Sequence, residues 1–482
     1  MKNIPDGAAV IPPPVRHVLR KLTAAGHEAY CVGGCVRDTL LGRTPEDWDV
    51  TTSATPEEVM EVFPRRTIPT GIRHGTVTVR SGTGGVEVTT YRIDGEYEDR
   101  RRPSSVSFVS SLEEDLRRRD FTINAIAMGL DGKLQDPCRG QEDLKAGVLR
   151  CIGDPDERFG EDALRLMRGL RFSASLGFRI PPDVEESIRR NKALLLEIAP
   201  ERVQTEFCKL LRGAWVTDIL RRYPEIIGVF WPEILPMIGF DQCNPHHCYD
   251  VWEHTLHAMD GVPAGDLTLR LTMLLHDIGK PQKFCLDERG VGHFPGHQAL
   301  SRDMAADMLK RMRFPRILRE RVALLIELHD RPLVPTEKAV RRALNQFGEE
   351  TFRQLLAVKR ADCLAQSDTD RGRLETVAET EKIFNALIEQ QACFSLKQLA
   401  VNGDDMLALG LSGRSVGRTL NALLSGVIEG ALPNEKESLL NAARKRNGIP
   451  PPGGKPSKRR RRRRRKPVKP PAPPAELSPP EA

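Results

Sequence analysis

The chain contains no apolar run of transmembrane length and no Cys-x-x-Cys pair, although it has ten cysteines among 482 residues. The first absence argues against a membrane-spanning helix, which needs about 20 consecutive apolar residues. Cysteines without paired spacing are typical of reduced thiols rather than of a disulfide framework. The opening segment MKNIPDGAAVIPPPV is broken by prolines and is unlike a secretory signal. We therefore expect a soluble, cytoplasmic protein that does not bind membranes.

The body of the chain also lacks an excess of positive charge. Residues 453–482 hold eleven Lys and Arg against two Glu, a balance of +9, whereas the whole chain carries only +7. The remaining body is therefore close to neutral, at −2. The segment 450–482 is rich in proline and contains seven consecutive arginines, so we expect it to be disordered. Its predicted use is salt-sensitive affinity for RNA, and the alternative is a merely solubilising tail.

The stretch Cys31–Thr52 carries the strongest chemical signal in the sequence. It predicts a strand, a Gly33-Gly34 turn, a helix, and a second strand that bears Asp47 and Asp49. Two carboxylates on one face of a strand repel each other unless a cation lies between them. Mg²⁺ suits such an oxygen-only site, and the glycine pair allows backbone N–H groups to approach a phosphate. The pattern indicates metal-assisted phosphoryl transfer, although a surface strand with two solvated acids is the alternative.

A second informative stretch, Glu161–Arg171, predicts an amphipathic helix. Asp162 and Arg165 are three residues apart and should be neighbours on its surface. Cytosine and adenine both present an amino donor beside a ring-nitrogen acceptor, which a carboxylate and a guanidinium complement. Uracil and guanine present the reverse order and would leave both side chains unsatisfied. The pair is therefore predicted to admit CTP and ATP only, the alternative being a surface salt bridge.

These stretches together resemble the class II nucleotidyltransferases, that is, the CCA-adding tRNA nucleotidyltransferases and the bacterial poly(A) polymerases. The resemblance extends over about residues 28–210 and rests on four motifs. The segments that carry them are Gly33–Asp38 with Asp47–Asp49, Arg118–Ala125, Glu161–Arg171 and Glu201–Glu206. The segment Ile68–Val77 is similar to the CCA-adding branch. The resemblance also implies that Asp94–Ser107 is a mobile loop that assists the switch from C to A addition.

The resemblance implies roles for individual residues. Asp47 and Asp49 are the catalytic aspartates that hold two Mg²⁺ ions, and Asp162 with Arg165 select the base. The residues implied to bind nucleotide are Gly34, Arg37, Arg119, Asp162, Arg165, Arg168 and Arg171. The implied partners are CTP, ATP and the tRNA acceptor arm, which the helical C-terminal region holds by its shape and backbone.

A second constellation lies in residues 245–365. His254, His276, Asp277 and Asp362 resemble the metal ligands of the HD phosphohydrolase superfamily, with His276 and Asp277 at the end of an apolar helix. Mixed imidazole and carboxylate ligands suit Mn, Ni, Zn or Fe more than Mg²⁺. The alternatives are an inactive helical scaffold and, for His329, either an additional ligand or a helix end.

The sequence thus predicts an α+β protein whose nucleotidyltransferase head, of the polymerase-β type with a mixed sheet, precedes an otherwise helical chain. The predicted regions are a head at 12–150, a neck at 151–235, an HD-type domain at 236–365, a helical tRNA-binding region at 366–449 and the tail at 450–482. The predicted function is template-independent addition of CCA to tRNA, with accessory phosphohydrolase activity at the HD site. The alternatives are a poly(A) polymerase, an A-only or CC-only enzyme, a phosphohydrolase and a non-catalytic RNA-binding protein. The sequence leaves the oligomeric state open.

Overall fold

A mixed sheet forms the N-terminal region in the computed structural model, which describes residues 10–82, 84–94, 106–366 and 371–451. Its strand order is β3-β4-β5-β2-β1-β8-β9, with β2 and β5 parallel and the other neighbours antiparallel. The strands are β1 (Ala29–Val32), β2 (Asp49–Thr52), β3 (Thr67–Gly71), β4 (Thr76–Ser81), β5 (Gly84–Thr90), β8 (Ala127–Met128) and β9 (Leu134–Gln135). Two short strands, β6 (Arg92–Asp94) and β7 (Val106–Phe108), form a separate pair.

Helices cover the sheet on the side where its valines are buried. The helices of the head are α1 (Pro13–Ala24), α2 (Gly34–Leu40), α3 (Pro56–Val62), α4 (Leu112–Arg117) and α5 (Gly140–Ala146). Alternate residues Val77 and Val79 of β4 are fully buried, as strand periodicity requires. Thr55 caps the N-terminus of α3 with a reciprocal capping box to Glu58, and Pro56 occupies the first turn.

The remainder of the described chain is almost entirely helical. The neck helices are α6 (Pro155–Glu161), α7 (Leu164–Leu176), α8 (Pro182–Asn191), α9 (Pro200–Leu211), α10 (Val216–Arg222) and α11 (Pro224–Ile227). They are followed by α12 (Val251–Asp260), α13 (Leu267–Leu275), α14 (Lys280–Lys283), a hairpin of β10 (Cys285–Leu286) and β11 (Gly292–His293), α15 (His297–Arg311) and α16 (Arg316–Leu328). The last helices are α17 (Glu337–Phe347), α18 (Glu349–Leu364), α19 (Arg371–Glu389), α20 (Gly403–Ala408), α21 (Arg414–Ile428) and α22 (Lys436–Asn447). The predicted α+β fold, with a mixed-sheet head before a helical region, is confirmed.

The chain divides into two compact units. Of the described residues, the first unit comprises those up to Pro335 and those within Phe347–Ile383, and the second comprises Thr336–Gln346 and those from Phe384 onward. In the first unit one continuous hydrophobic core runs from Ile11 of the head to Ala365 of the helical region. Within it the buried Trp231 packs edge-on against Phe207 and donates from its indole nitrogen to the carbonyl of Met308. The second unit has its own core, which includes Met406, Leu423 and Leu439.

Several sequence predictions concern parts of the chain that are not described. The Arg-rich tail lies outside the described residues from position 452 onward, as do residues 95–105 of the predicted mobile loop. The five-region division stays a prediction. Among the described helices, none is long and apolar enough to cross a membrane.

Candidate active site and metal cluster

A glycine turn connects β1 to α2 and forms one edge of a cleft. Gly33 has a φ of 82°, which an L-residue with a side chain adopts only with strain. A Cβ atom at Gly33 would lie 3.5 Å from a guanidinium nitrogen of Arg119. The turn therefore brings the backbone close to an arginine while leaving no side chain between them.

Asp47 and Asp49 lie on the opposite side of this turn. Asp49 is the first residue of β2, whereas Asp47 precedes the strand, so the prediction that both lie on it is wrong. The reason is that β1, which pairs with β2 as far as Val32↔Asp49, turns away at Gly33. Asp47 therefore has no pairing residue in β1. Both carboxylates are nevertheless exposed and border the same cleft.

The charge on Asp49 is disfavoured by its surroundings. Although Asp49 is exposed, the protein atoms around it in the cleft disfavour its charge and raise its pKa above the usual range; the negative charges of Glu87 and Asp47 raise the pKa further, and Arg119 opposes them. Glu87 is the partner of Asp49 in the parallel strand β5. Neither Asp47 nor Asp49 makes a side-chain hydrogen bond or ion pair with any residue described here. This crowding of unpaired carboxylates favours a bound cation.

A hydrogen-bonded chain fixes two arginines beside these carboxylates. Arg37 donates to Asn124 (2.8 Å), Asn124 donates to Asp120 (3.0 Å), and Arg168 donates to the other oxygen of Asp120 (2.7 Å). Burial alone would raise the pKa of Asp120, but Arg168 and the hydrogen bonds from Asn124 and from the amide of Phe121 outweigh it and lower the pKa to about 2. The ionised carboxylate of Asp120 therefore holds Arg168 in place, whereas Arg37 is held by Asn124 and by an ion pair with Asp38 (2.8 Å).

A second buried carboxylate holds two further arginines. Asp115 is fully buried and pairs with Arg118 (2.7 Å) and Arg119 (3.2 Å), while the hydroxyl of Thr51 donates to it at 3.1 Å. Sequence reasoning singled out Arg119 but missed Asp115. The helical spacing of three and four residues between Asp115 and these arginines was the available signal.

Three guanidinium groups surround the ring of Phe172, a residue that sequence reasoning also missed. Arg171 lies 4.0 Å, Arg37 5.1 Å and Arg168 5.3 Å from the ring centroid. Burial and the neighbouring charge of Arg168 lower the pKa of Arg171 to about 10, although Glu206, 3.1 Å away, opposes this. Such a concentration of guanidinium groups favours a polyanion in the cleft.

The geometry of Asp162 and Arg165 differs from the prediction. Helix α7 begins at Leu164, so Asp162 lies in the break after α6 and accepts a hydrogen bond from the amide of Leu164 (3.1 Å). Its other oxygen is 3.3 Å from Arg202, and no ion pair joins it to Arg165. The pair is therefore not on one helix surface, because α6 and α7 are separate helices.

Arg165 is buried and has its own partners. It pairs with Glu161 (2.5 Å) and donates to the carbonyls of Arg158 (3.0 Å) and Arg118 (3.2 Å). The surface salt bridge between Asp162 and Arg165, which was the alternative to base selection, is thus not among the contacts described for these residues. Asp162 and Arg165 still border one cleft, each oriented by a different neighbour.

The cleft has a volume of about 900 Å³ and brings the predicted residues of the head and neck together. Its lining includes every residue predicted to bind nucleotide or metal in this region: Gly34, Arg37, Asp47, Asp49, Arg119, Asp162, Arg165, Arg168 and Arg171. Nine basic and six acidic side chains line it, so its balance is positive. Sequence reasoning missed the contributions of Arg43, Lys209 and Arg212, since only the packing of the neck against the head places them there.

The four residues of the second constellation also meet, in the interior of the helical region. His254 of α12 lies with its Nε2 3.1 Å from Asp362 of α18 and 3.3 Å from the Nε2 of His276 at the end of α13. The adjacent Asp277 places Oδ2 3.2 Å from His276 and 3.4 Å from His254. Three of these buried residues, His254, His276 and Asp277, form one of the two groups in the described chain that have the spacing of metal ligands.

The other group adds two histidines on the far side of Asp277. The Nε2 atoms of His297 and His329 are 3.3 Å and 3.6 Å from Oδ1 of Asp277. His297, the first residue of α15, was missed by sequence reasoning because no motif surrounds it. The exposed Cys243 and Cys248 belong to neither group.

Comparisons with known proteins agree on one family. A family model described as the poly A polymerase head domain matches residues 29–150, and one described as the probable RNA and SrmB-binding site of polymerase A matches 177–222. A third, described as putative tRNA nucleotidyltransferase domain 2, matches 297–443.

Similarity to individual proteins extends over most of the chain. The CCA-adding enzyme of Limosilactobacillus fermentum is 35% identical over 89% of this chain and 96% of its own length, and that of Geobacillus sp. is 37% identical over 90% and 96%. The crystal structure of the Bacillus stearothermophilus CCA-adding enzyme in complex with CTP matches 91% of this chain and 98% of its own, with 31% identity and a TM-score of 0.65. The resemblance drawn from the motifs is confirmed, and the chain belongs to the family of CCA-adding enzymes.

Proposed function

We propose that this chain adds CCA to the 3′ end of tRNA from CTP and ATP and releases pyrophosphate. The observation that carries the proposal is the single cleft in which Asp47 and Asp49 lie together with Asp162 and Arg165. Phosphoryl transfer needs carboxylates for metal ions and cations for the triphosphate, and the lining supplies both. The similar enzyme of Bacillus stearothermophilus was crystallised with CTP, which supports the assignment of the nucleotide.

Asp47 and Asp49 fit a pair of Mg²⁺ ions. Their oxygens are the donors that Mg²⁺ prefers, and both side chains are open to the cleft and free of ion pairs to described residues. Family membership implies dependence on a divalent metal, and the choice of Mg²⁺ is part of the proposal. When bound, the ions supply activation of the RNA 3′-hydroxyl and charge neutralisation at the departing pyrophosphate.

The arginines of the cleft bind the triphosphate. Arg37 and Arg168 are oriented by Asn124 and Asp120, and Arg119 is oriented by Asp115. Guanidinium groups match phosphate oxygens with two parallel hydrogen bonds, and their orientation before binding reduces the entropy lost on binding. Arg171 and the backbone at Gly34 complete the proposed nucleotide site.

Asp162 and Arg165 select the base. The hydrogen bond from Leu164 and the ion pair with Arg202 hold the Asp162 carboxylate as an acceptor. The contacts with Glu161 and two backbone carbonyls hold the Arg165 guanidinium as a donor. One acceptor beside one donor complements the pairing edges of cytosine and adenine, and rejects uracil and guanine.

The substrate RNA is the acceptor arm of tRNA, recognised by the helical region through shape and backbone contacts. The match of residues 177–222 to an RNA-binding segment supports an RNA partner. A poly(A) polymerase and an A-only or CC-only enzyme would use the same catalytic residues and are therefore the rivals to be separated by experiment.

The test supplies tRNA that lacks its 3′ CCA with CTP alone, with ATP alone and with both, and measures product length. The proposal predicts two added nucleotides with CTP alone and three with both nucleotides. A long ladder with ATP alone indicates a poly(A) polymerase. Termination after two nucleotides with both triphosphates indicates a CC-only enzyme. A parallel reaction with tRNA that already ends in CC identifies an A-only enzyme, which extends that tRNA alone.

We propose a second activity, hydrolysis of phosphate esters, at the histidine–aspartate cluster. The convergence of His254, His276, Asp277 and Asp362 favours it, as does an adjoining cavity of about 190 Å³ lined by Lys280 and Arg373. A transition metal suits these ligands, and when bound it supplies polarisation of a phosphoryl oxygen. The proposal predicts that the Asp47→Ala protein hydrolyses bis(p-nitrophenyl) phosphate and that the Asp277→Ala protein does not. Hydrolysis retained in both variants would contradict it.

A further inference from the structure

The mouth of the nucleotide cleft carries three cations that lie beyond the arginines assigned to the triphosphate. Arg43 lies shortly after α2, whereas Lys209 is in the last turn of α9 and Arg212 directly follows that helix. All three residues are exposed and line the same cavity as the proposed nucleotide site. Arg43 donates to the carbonyl of Ser175, near the end of α7, at 3.5 Å. The loop after α2 and the end of α9 thus add positive charge at this end of the cleft.

These cations differ from the inner ones in their partners. The inner pairs are Arg37 with Asp38, Arg118 and Arg119 with Asp115, Arg165 with Glu161, Arg168 with Asp120 and Arg171 with Glu206. By contrast, neither Arg43 nor Arg212 forms an ion pair with a described residue. Lys209 has only a loose contact of 3.9 Å with Glu206. Unpaired cations that line one side of a cavity favour the binding of an anion there.

The three cations continue the row of triphosphate arginines toward solvent. Glu206 connects the two groups, because one of its oxygens is 3.1 Å from Arg171 and the other is 3.9 Å from Lys209. The exposed fraction of the side chain rises from 13% at Arg171 to 51% at Lys209. An anion that leaves Arg171 toward solvent along this row therefore meets Lys209 next.

The order of residues along α7 indicates which anion reaches this end of the cleft. Arg165, assigned to the base, lies in the first turn of the helix, and Arg168 and Arg171, assigned to the phosphates, follow it. At 1.5 Å of rise per residue, Ser175 is about 15 Å from Arg165 and about 6 Å beyond Arg171 along the axis. A nucleotide bound in this order directs its β- and γ-phosphates toward Ser175.

The chemistry of the proposed transfer gives the same direction. The RNA 3′-oxygen loses its proton to solvent and bonds to the α-phosphorus, while the bond from that phosphorus to the oxygen of the β-phosphate breaks. Because the displacement is in line, the attacking and leaving oxygens lie on opposite sides of the phosphorus. Pyrophosphate therefore departs on the side of the β- and γ-phosphates, whereas the RNA strand approaches from the other side.

We infer that Arg43, Lys209 and Arg212 form a separate pyrophosphate site, which holds the leaving product while the next nucleotide enters the cleft. The inference rests on the proposed function and deepens it by assigning a binding site to the product. Pyrophosphate presents several charged oxygens, which guanidinium and ammonium groups bind by charge-assisted hydrogen bonds. The unpaired state of Arg43 and Arg212 leaves their donors available for it.

The test titrates inorganic pyrophosphate into the full chain saturated with CTP, without RNA, and measures the heat at fixed Mg²⁺ and salt concentrations. CTP occupies the inner site, so we expect one pyrophosphate per chain with an affinity that is independent of the CTP concentration. Arg43→Gln with Arg212→Gln should weaken this binding by about 10-fold or more, since one charged hydrogen bond is worth about that factor. The charge-matched control is Arg20→Gln with Lys145→Gln, two exposed cations outside the cleft, and it should leave pyrophosphate binding unchanged.

A charge-retaining variant, Arg43→Lys with Arg212→Lys, should keep most of the binding and separates the loss of charge from a change in fold. If the wild type binds CTP but no additional pyrophosphate, or if pyrophosphate only displaces CTP, the inference is overturned and the proposed function stands. Failure to bind CTP contradicts both. Pyrophosphate binding that persists in the glutamine variant also overturns the inference. If that variant instead loses affinity for tRNA lacking CCA, the cations belong to the RNA strand.

Discussion

At the scale of single residues, the environment separates carboxylates that stabilise the fold from those that serve chemistry. Asp120 accepts hydrogen bonds from Asn124 and pairs with Arg168, so its charge is favoured. Asp49 has no partner among the described side chains, and its charge is disfavoured by the cleft walls and by Glu87. A carboxylate kept under such conditions is typical of a site completed by a ligand.

Asp49→Asn is expected to raise the midpoint of thermal unfolding at pH 7 in metal-free buffer. The raised pKa of Asp49 means that the folded state holds this proton more tightly than the unfolded state. The contribution of Asp49 to the free energy of unfolding therefore falls as the pH rises through its pKa. The asparagine side chain of the variant does not ionise, so the variant does not lose this stability. CTP addition should fall by more than about 100-fold, since metal binding contributes several kcal/mol to catalysis.

The control is Glu61→Gln, which neutralises an exposed carboxylate of α3 outside the cleft and should change neither quantity. Calorimetry and the rate of nucleotide addition measure the two effects. A lower unfolding midpoint in Asp49→Asn, or full addition activity, contradicts the assignment.

Asp120→Asn is expected to cost about 2 kcal/mol at neutral pH, the free energy that corresponds to lowering the pKa of Asp120 from 3.8 to about 2. Because the folded-state pKa is depressed, this stability is present above pH 3.8 and is lost as the pH falls to about 2. Urea unfolding at a series of pH values should show the difference between the two proteins shrinking over that range. A difference independent of pH would mean that Asp120 is not the ionised partner of Arg168.

At the scale of elements, the turn from β1 to α2 and the break between α6 and α7 position the site. The turn needs a left-handed residue at Gly33 and brings α2 against the arginines. The break separates Asp162 from Arg165, so that different neighbours orient them. Both features consist of one or two residues and determine the orientation of several functional side chains.

Gly33→Ala is expected to destabilise the protein by about 1–2 kcal/mol, the cost of a left-handed conformation in a residue with a side chain. Gly26→Ala is the matched control, since Gly26 has a φ of 92° and no atom within 4 Å of an added Cβ. Both variants should lose similar stability in urea unfolding. Only Gly33→Ala should also raise the KM for CTP, because its Cβ lies beside Arg119. Equal KM effects in the two variants would show that the turn acts on stability alone.

The sequence predicted elements with strong local signals and missed features that depend on packing. The strand, the Gly33-Gly34 turn and the helix that follows it have strong local signals, and the structure contains them as β1, the turn at Gly33 and α2. The amphipathic pattern around Asp162 continues across the break, so it did not reveal that two helices meet there. Phe172 directly follows the Glu161–Arg171 motif without belonging to it, and His297 has no motif around it, so only the packing of other elements shows where these two side chains lie.

At the scale of the molecule, one hydrophobic core joins the head, the neck and the histidine-rich helices in a single unit. The cleft therefore has a rigid wall from the head, with Asp47 and Asp49, and another from the neck, with Asp162 and Arg165. In the proposed function, this arrangement lets a protein without a nucleic-acid template combine metal-assisted transfer with selection of a base.

The most direct test of this account measures the ratio of CTP to UTP addition by the wild-type chain and by Arg165→Ala. If Arg165 is the donor that complements the base edge, the wild type rejects UTP and the variant loses most of that selectivity. Its binding of Mn²⁺ at the aspartates should be unchanged. Unaltered rejection of UTP by Arg165→Ala would contradict the central claim that protein side chains act as the template.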